Sequence, residues 1–438
     1  MRILQPYEKY KSVDLNFTKQ IPSNWIILRG KFLFKEISTR SKKGEEQLLS
    51  VSEHKGIVPR DSINVNMFQA LSYEGYKLCD KGDIVINSLW AWHRGLGVSE
   101  YHGIVSTAYG VYRPIMPEQW NPRYLNYLLR DKTYVGECLI RSKGVWESRY
   151  QLTGSNFLDI PIIKPPLEIQ NSIAEYLDKK NSEINKFIQN KERLISLLEE
   201  RKKDVIDTAF TRGLNPNTEF KQTNQDWLSN LPENWDVKRL KFLTKIISKG
   251  STPSTEGREI KSSGIRFIKA ENISKSQVIQ EPSFFIDTET HKILKRSQLQ
   301  ENDLLFVIAG ATIGKVAILP KNLIPANTNQ AVSFIRLKKI EDVDFCYYWL
   351  HSNFITTSIW LKAVTSAQPN LAMEDLGNLV VPYPSNSEKL EIVNYVKQEH
   401  SILELAIFKA QKEISAIKEY REALITDLVT GKRSIPQS

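Results

Sequence analysis

Residues 10–25 read YKSVDLNFTKQIPSNW, and residues 220–235 read FKQTNQDWLSNLPENW. Tyr10 matches Phe220, Lys11 matches Lys221 and Phe17 matches Trp227. Ile21-Pro22 matches Leu231-Pro232, and Asn24-Trp25 matches Asn234-Trp235, always at an offset of 210. The correspondence then continues in order. Lys81-Gly82-Asp83-Ile84 aligns with Glu301-Asn302-Asp303-Leu304, Ile160-Pro161 with Val381-Pro382, and Ile173 to Leu177 with Ile392 to Val396. Ile206 and Thr211 align with Ile425 and Thr430 at an offset of 219. The 438 residues are therefore two copies of one unit of roughly 210 to 220 residues, and any fold must build the same architecture twice.

Each copy has two parts. The first mixes short apolar runs, such as Asp83 to Asn87 and Leu304 to Ala309, with turns bearing Gly, Asn and Pro. These read as strands and loops. A helical patch follows in each (123–130 and 342–352), with Asn121 placed as a cap. The second part opens on proline (Pro165-Pro166; Pro384) and reads as one long helix. Its heptad-like seam runs through Ile173, Leu177, Ile184, Leu194 and Leu198 in the first copy. In the second it runs through Ile392, Val396, Leu403, Ile417 and Leu424. A 3.5-residue repeat sustained over this length predicts a coiled coil, and about 40 residues span roughly 60 Å. Gly213 and Gly431 are placed as helix stops. One such helix cannot bury its own stripe, so the two helices are expected to pair antiparallel. The last would then lead the chain back towards the first globular part in a nearly circular arrangement.

The expected fold class is α+β: two similar mixed α/β domains (1–164 and 214–383) and two long helices (165–213 and 384–433) forming an antiparallel coiled-coil pair with a pseudo-twofold repeat. The net charge of +10 is confined to part of the chain. Residues 165–212 carry nine Lys/Arg and nine Asp/Glu, and residues 384–433 carry eight of each, so the basic excess sits outside the helices. An excess so placed suits a polyanion. Three scattered cysteines without a CxxC, no apolar run of membrane length and no secretory leader point to a cytoplasmic, reduced protein without a membrane partner. The six histidines show no metal spacing and there is no GxSxG. Gly310 to Val316 lacks the spacing and the Ser/Thr of a phosphate loop. No catalytic residue, metal site or cofactor is expected in this chain.

Other residue types suit DNA. Trp92, His93 and Arg94 form a polar-aromatic segment after a strand, and Asn327, Asn329 and Gln330 precede another. Asn and Gln can bond adenine edges in a bidentate way, as Arg and Lys can guanine. Arg258, Arg266, Lys269 and Lys315 suit phosphates. The same residues also read as core aromatics and turn formers. The residues alone leave open a stand-alone nuclease or a coiled-coil scaffold.

The duplicated landmarks resemble those of the specificity subunit of type I restriction-modification systems. The likeness rests on the two openings above, on Gly82 to Trp92, on Gly103 to Arg113, on Asn302 to Leu319 and on Ala326 to Ala331. The Pro-marked entries to the long helices complete it. One departure is Glu301-Asn302 where the family has Gly before the Asp. The resemblance implies two target recognition domains that read one half each of a bipartite, asymmetric double-stranded DNA target. It implies helices that space the half-sites and dock two modification subunits, with restriction subunits, two in number, completing the larger assembly. S-adenosylmethionine, ATP and magnesium are then expected in those partners, and this chain is expected to be non-catalytic.

Overall fold

A computed structural model describes residues 4–63, 72–144, 150–223, 228, 230–363 and 370–435; Trp227, matched above to Phe17, lies outside them. The chain forms two units, Met1–Lys191 with Lys412–Ser438, and Glu192–Gln411.

The first unit opens with the hairpin Tyr10–Ser12 and Gln20–Pro22. Strand Ile26–Arg29 then pairs antiparallel with Pro161–Lys164. Between them stands an antiparallel four-stranded sheet in the order Phe34–Glu36, Tyr109–Pro114, Ile84–Asn87, Leu96–Val98. The second unit repeats the plan. Phe220–Gln222 pairs with Asn230–Pro232, Asp236–Arg239 with Val380–Tyr383, and its four-stranded sheet runs Thr244–Lys249, Val332–Leu337, Leu304–Val307, Val316–Ile318. The duplication legible in sequence is thus a duplication of sheet order.

Successive side chains of a strand point to opposite faces, and here both faces are covered. Ile84 and Ile86 join the core that holds the long helices, while Val85 joins a second core with Leu49, Ile57 and Val111. Leu304 and Phe306 divide from Leu305 and Val307 in the same way. Each central strand therefore separates a scaffold core from an outer core, which explains why these runs are apolar without alternation. A buried carboxylate anchors the start of each. Arg113 Nε and Nη2 donate to Asp83 at 2.6 and 2.7 Å, and Arg336 Nε and Nη2 donate to Asp303 at 2.8 and 2.7 Å. Burial raises the Asp303 carboxyl above its ordinary range even against Arg336. The turn before each Asp needs a left-handed residue, Gly82 at φ +91° and Asn302 at φ +67°. Asn is among the few side chains that tolerate this, so the departure at Asn302 leaves the turn intact.

The helical patches are Pro122–Arg130 and Asp342–Leu350, and Asn121 caps the first, its Oδ1 accepting from the N–H groups of Arg123 and Tyr124 at 2.9 and 3.0 Å. The long helices are Leu167–Arg212 and Asn386–Val429, of 46 and 44 residues. In the first unit the start of one packs beside the end of the other: Arg421 bonds Asn185 at 2.7 Å and Lys191 pairs with Glu413 at 2.5 Å, so they run antiparallel. In the second unit Lys202 pairs with Glu404 at 3.0 Å, and His400 donates to its carbonyl at 2.9 Å. Ile173, Leu177, Leu424, Leu428 and Val429 share the first unit's core; Val205, Phe210, Ile392 and Val396 share the second's. Each globular part thus holds the start of its own copy's helix and the end of the other's.

The heptad seam holds in part. Ile173, Leu177, Ile184, Ile392, Val396 and Leu424 are buried, and Leu198, Leu403 and Ile417 are half-buried. Leu194 is 40% exposed, and neighbouring Ile195 turns inward in its place. A straight helix drifts about 20° per heptad from a strict 3.5 repeat, enough to carry one seam position out over several turns.

Gly213 and Gly431 end the helices at φ +72° and +76°, each against the tryptophan of a duplicated opening. A Cβ on Gly431 would sit 2.5 Å from Pro22 Cδ and 2.9 Å from Trp25 Cζ3; one on Gly213 would meet Trp235 at 3.3 Å. Gly431→Ala and Gly213→Ala should each lose about 1–2 kcal/mol from the left-handed backbone. Gly431→Ala should lose about 1–3 kcal/mol more from overpacking. Denaturant titration of the two variants checks the order.

Candidate nucleic-acid interface

The parts of each unit that differ lie beyond the four-stranded sheet. In the second unit, Ile265–Ile268 pairs antiparallel with Phe285–Ile286 and parallel with Ala326–Thr328. Arg266 lies on the middle strand, its guanidinium over the Phe285 ring at 5.1 Å. Its Nη1 is buried without a hydrogen-bond partner, and it lines a cleft of about 280 Å³ with Gly264, Gln280 and Asn322. Lys269 follows that strand, its ammonium 3.5 Å from the centre of the Phe284 ring. Arg258 makes a two-point ion pair with Glu289 at 2.8 and 3.0 Å, which spends its fork on the protein itself. Lys315 is exposed in the turn between Leu304–Val307 and Val316–Ile318. Gln330 is also exposed and accepts from the Thr252 hydroxyl; beside it Asn329 keeps a buried Oδ1 without a partner.

Asn327 departs from expectation. It lies within strand Ala326–Thr328, fully buried, its amide donating to Leu294 O at 3.0 Å and Ser297 Oγ at 2.9 Å while His291 bonds its Oδ1. A side chain so enclosed is unavailable to a base edge, and it holds the outer strand to the helix Thr288–Ile293. Arg94 departs too. At φ +59° it forms a two-point ion pair with Glu422 on the second long helix, a bond that holds its guanidinium above its ordinary pKa against the opposing effect of burial. Arg94 is therefore a helix-docking residue.

Trp92 is half-buried, donates its Nε1 to Leu89 O at 2.9 Å and packs edge-on against Tyr150 and His93. His93 is exposed, 3.5 Å from Glu53. Trp90, 57% exposed, stands beside them. Two basic surfaces escaped the residue-by-residue reading. Exposed Arg40, Lys42 and Lys43 line, with Glu45 and Glu46, a cleft of about 560 Å³ in the first unit, and exposed Lys292, Lys295 and Arg296 lie at the end of helix Thr288–Ile293 and in the 3-10 turn that follows it. The runs Ser41-Lys-Lys-Gly44 and His291 to Arg296 were the available signals. Among the described residues no group of three or more His, Cys, Asp or Glu could hold a metal ion. Cys79 is buried, and that burial pushes its thiol up to about 12, leaving little thiolate to react. No helix among the described residues is long and apolar enough to cross a membrane.

Residues 232–415 match the model of the type I restriction modification DNA specificity domain. The chain is 25% identical over 313 residues to the type I restriction enzyme MjaVIII specificity subunit of Methanocaldococcus jannaschii, covering 70% of this chain and 69% of that one. It is 29% identical over 258 residues to the EcoBI specificity subunit of Escherichia coli, 56% of this chain and 53% of that one. The fold matches a chain of a solved type I R-M system at a TM-score of 0.70, with 15% identity, covering 94% and 99% of the two chains. It also matches the HsdS subunit from Thermoanaerobacter tengcongensis at 0.51, with 17% identity, covering 94% and 98%. Residues 232–415 carry a type I restriction modification DNA specificity domain, and the chain is similar over most of its length to type I restriction enzyme specificity subunits.

If these cations meet DNA, the exposed Lys315 and the half-buried Arg266 are expected to differ in role. Phosphate contacts set the salt dependence and base contacts set sequence preference. Lys315→Ala should lower the slope of log K against log salt by about one without changing the preferred sequence. Arg266, a phosphate candidate in sequence, is half-buried with its Nη1 unpartnered and lines a cleft, which suits a base edge better; Arg266→Ala should then relax discrimination at one base pair, by about 1–3 kcal/mol. Binding isotherms at several salt concentrations, on matched and singly substituted duplexes, distinguish the two outcomes.

Proposed function

We propose that this chain is a specificity subunit that reads a bipartite, asymmetric DNA target, with residues 1–164 recognising one half and residues 214–383 the other. The observation that carries this reading is one scaffold built twice with two different outer layers. The four-stranded sheets share their strand order, whereas the outer elements are the hairpin Leu49–Ser52 with Gly56–Pro59 and the pair Lys77–Cys79 with Gly103–Val105 in one unit, and a three-stranded mixed sheet with the hairpin Ile273–Ser274 and Gln277–Val278 in the other. Equal scaffolds hold the two readers in equivalent ways, and unequal outer layers present different surfaces to the bases. The helix pair, residues 165–213 and 384–433, is the spacer. A helix of 46 residues is about 69 Å long, a length suited to a spacer.

The chain itself is non-catalytic in this reading, and S-adenosylmethionine, ATP and magnesium act in its partners. Two modification subunits dock on the helices. Leu197, Ile402 and Leu405 support this, because each is more than half exposed although it lies on a long helix. Apolar side chains left in water at such positions mark a protein contact. Mapping adenine methylation in the host with and without this gene tests the reading: one gapped, two-part motif should lose its methylation, and an unchanged pattern from an active system refutes it. For the docking face, Ile402→Glu with Leu405→Glu should leave thermal unfolding nearly unchanged and abolish co-purification with the modification subunit.

A further inference from the structure

The far ends of the two long helices are the same stretch of the repeat, yet they meet their globular parts through opposite polar chemistry. In the first unit Thr426 Oγ1 donates at 2.6 Å to the carboxylate of Asp131, and both residues are buried. Asp131 is the N-cap of helix Lys132–Arg141, its other oxygen accepting the Thr133 N–H at 2.9 Å and hydroxyl at 2.6 Å. One turn earlier on the docked helix, Glu422 makes its ion pair with Arg94. In the second unit the position equivalent to Thr426 is Asp207. Here the carboxylate is on the docked helix, accepting the backbone N–H of Asn353 at 3.0 Å and its side-chain amide at 2.9 Å. The residue before that helix, where Asp131 stands in the first unit, is Ser352, whose hydroxyl accepts the Ile355 N–H at 3.2 Å. The equivalent of Glu422 is Lys203.

We propose that these residues form a docking code, by which the globular part of the first unit accepts the end of the second long helix and refuses the end of the first, whether from its own chain or from a second copy. Seating the first helix's end there would set Asp207 against Asp131 and Lys203 against Arg94. Two like-charge contacts would replace a hydrogen bond and an ion pair. Two buried carboxylates in contact cannot both stay ionised. Shape agrees with charge, since Phe210 would come where Val429 lies, with the Tyr124 hydroxyl 3.3 Å from the Val429 carbonyl. A ring forced into a filled core is costly. The opposite error is not barred by charge. Thr426 placed in the second unit would meet Ser352 and Asn353, both neutral. The code is one-sided: two first copies cannot pair through this surface, whereas two second copies meet no such repulsion.

The test transposes the code within the intact chain. Thr426→Asp puts a second carboxylate against Asp131, and the thermal midpoint should fall by roughly 6 °C or more. Adding Asp131→Ser gives this unit the chemistry of the other and should restore most of the loss. Asp131→Ser alone, which removes hydrogen bonds without opposing charges, should cost less than Thr426→Asp. In the second unit Ser352→Asp faces Asp207 and should be similarly damaging, with Asp207→Thr as its rescue. A chain that fails to fold with one substitution is still judged by its paired variant. The proposal is overturned if Thr426→Asp is tolerated, or if neither paired variant recovers stability.

Discussion

The burial of each long helix's far end in the other copy's core is the contact on which the rest depends. Leu424, Leu428 and Val429 fill one core, and Val205, Ile206, Ala209 and Phe210 fill the other. Fully burying a side chain of this size contributes about 1.5–3 kcal/mol, and several at one helix end outweigh any single polar contact there. Phe210 shows the quality of the fit, stacked at 6.1 Å on Trp349 and tilted at 4.5 Å against Phe345. The first unit's core is therefore incomplete until residues 412–438 are present, whereas the second unit is the continuous stretch Glu192–Gln411.

The chain ends obey the same requirement. Gln5 and Ser434 bridge, the Tyr10 hydroxyl donates to Lys432 O at 3.0 Å, and the second helix stops at Gly431 against Trp25. The return of the last helix to the first globular part, expected from the repeated openings, is seen within the first unit. The tryptophans of those openings are therefore terminal abutments for helices, which is why Asn-Trp recurs after Ile-Pro and Leu-Pro.

Much of this was legible because repetition supplies an internal control. Trp25 alone says little; Trp25 with Trp235 at the same place in two copies specifies a structural role. The long helices were legible from periodicity, and Leu194 was misplaced because a strict heptad and a 3.6-residue helix part company over a few turns. The interface was harder to read. Asn327 and Arg94 have the right chemistry for DNA, but sequence does not say whether a polar side chain spends its hydrogen bonds inward. Asn327 spends them on Leu294 and Ser297, and Arg94 on a carboxylate more than three hundred residues away in sequence. Such long-range partners leave no local signature. Arg40, Lys42 and Lys43 were missed for the opposite reason, since a short basic run looks like ordinary solvated surface.

The central strands have a consequence for how such a protein can change over generations. Ile84 and Ile86 belong to the scaffold and Val85 to the outer layer, as Leu304 and Phe306 are divided from Leu305 and Val307. The sheet is a partition between two cores that share a backbone but few side-chain contacts. Substitutions that reshape the outer core can accumulate, or an entire outer layer can be replaced by recombination, without disturbing the side chains that grip the helices. A molecule divided in this way can acquire new preferences quickly while its assembly with other subunits stays under separate, slower selection.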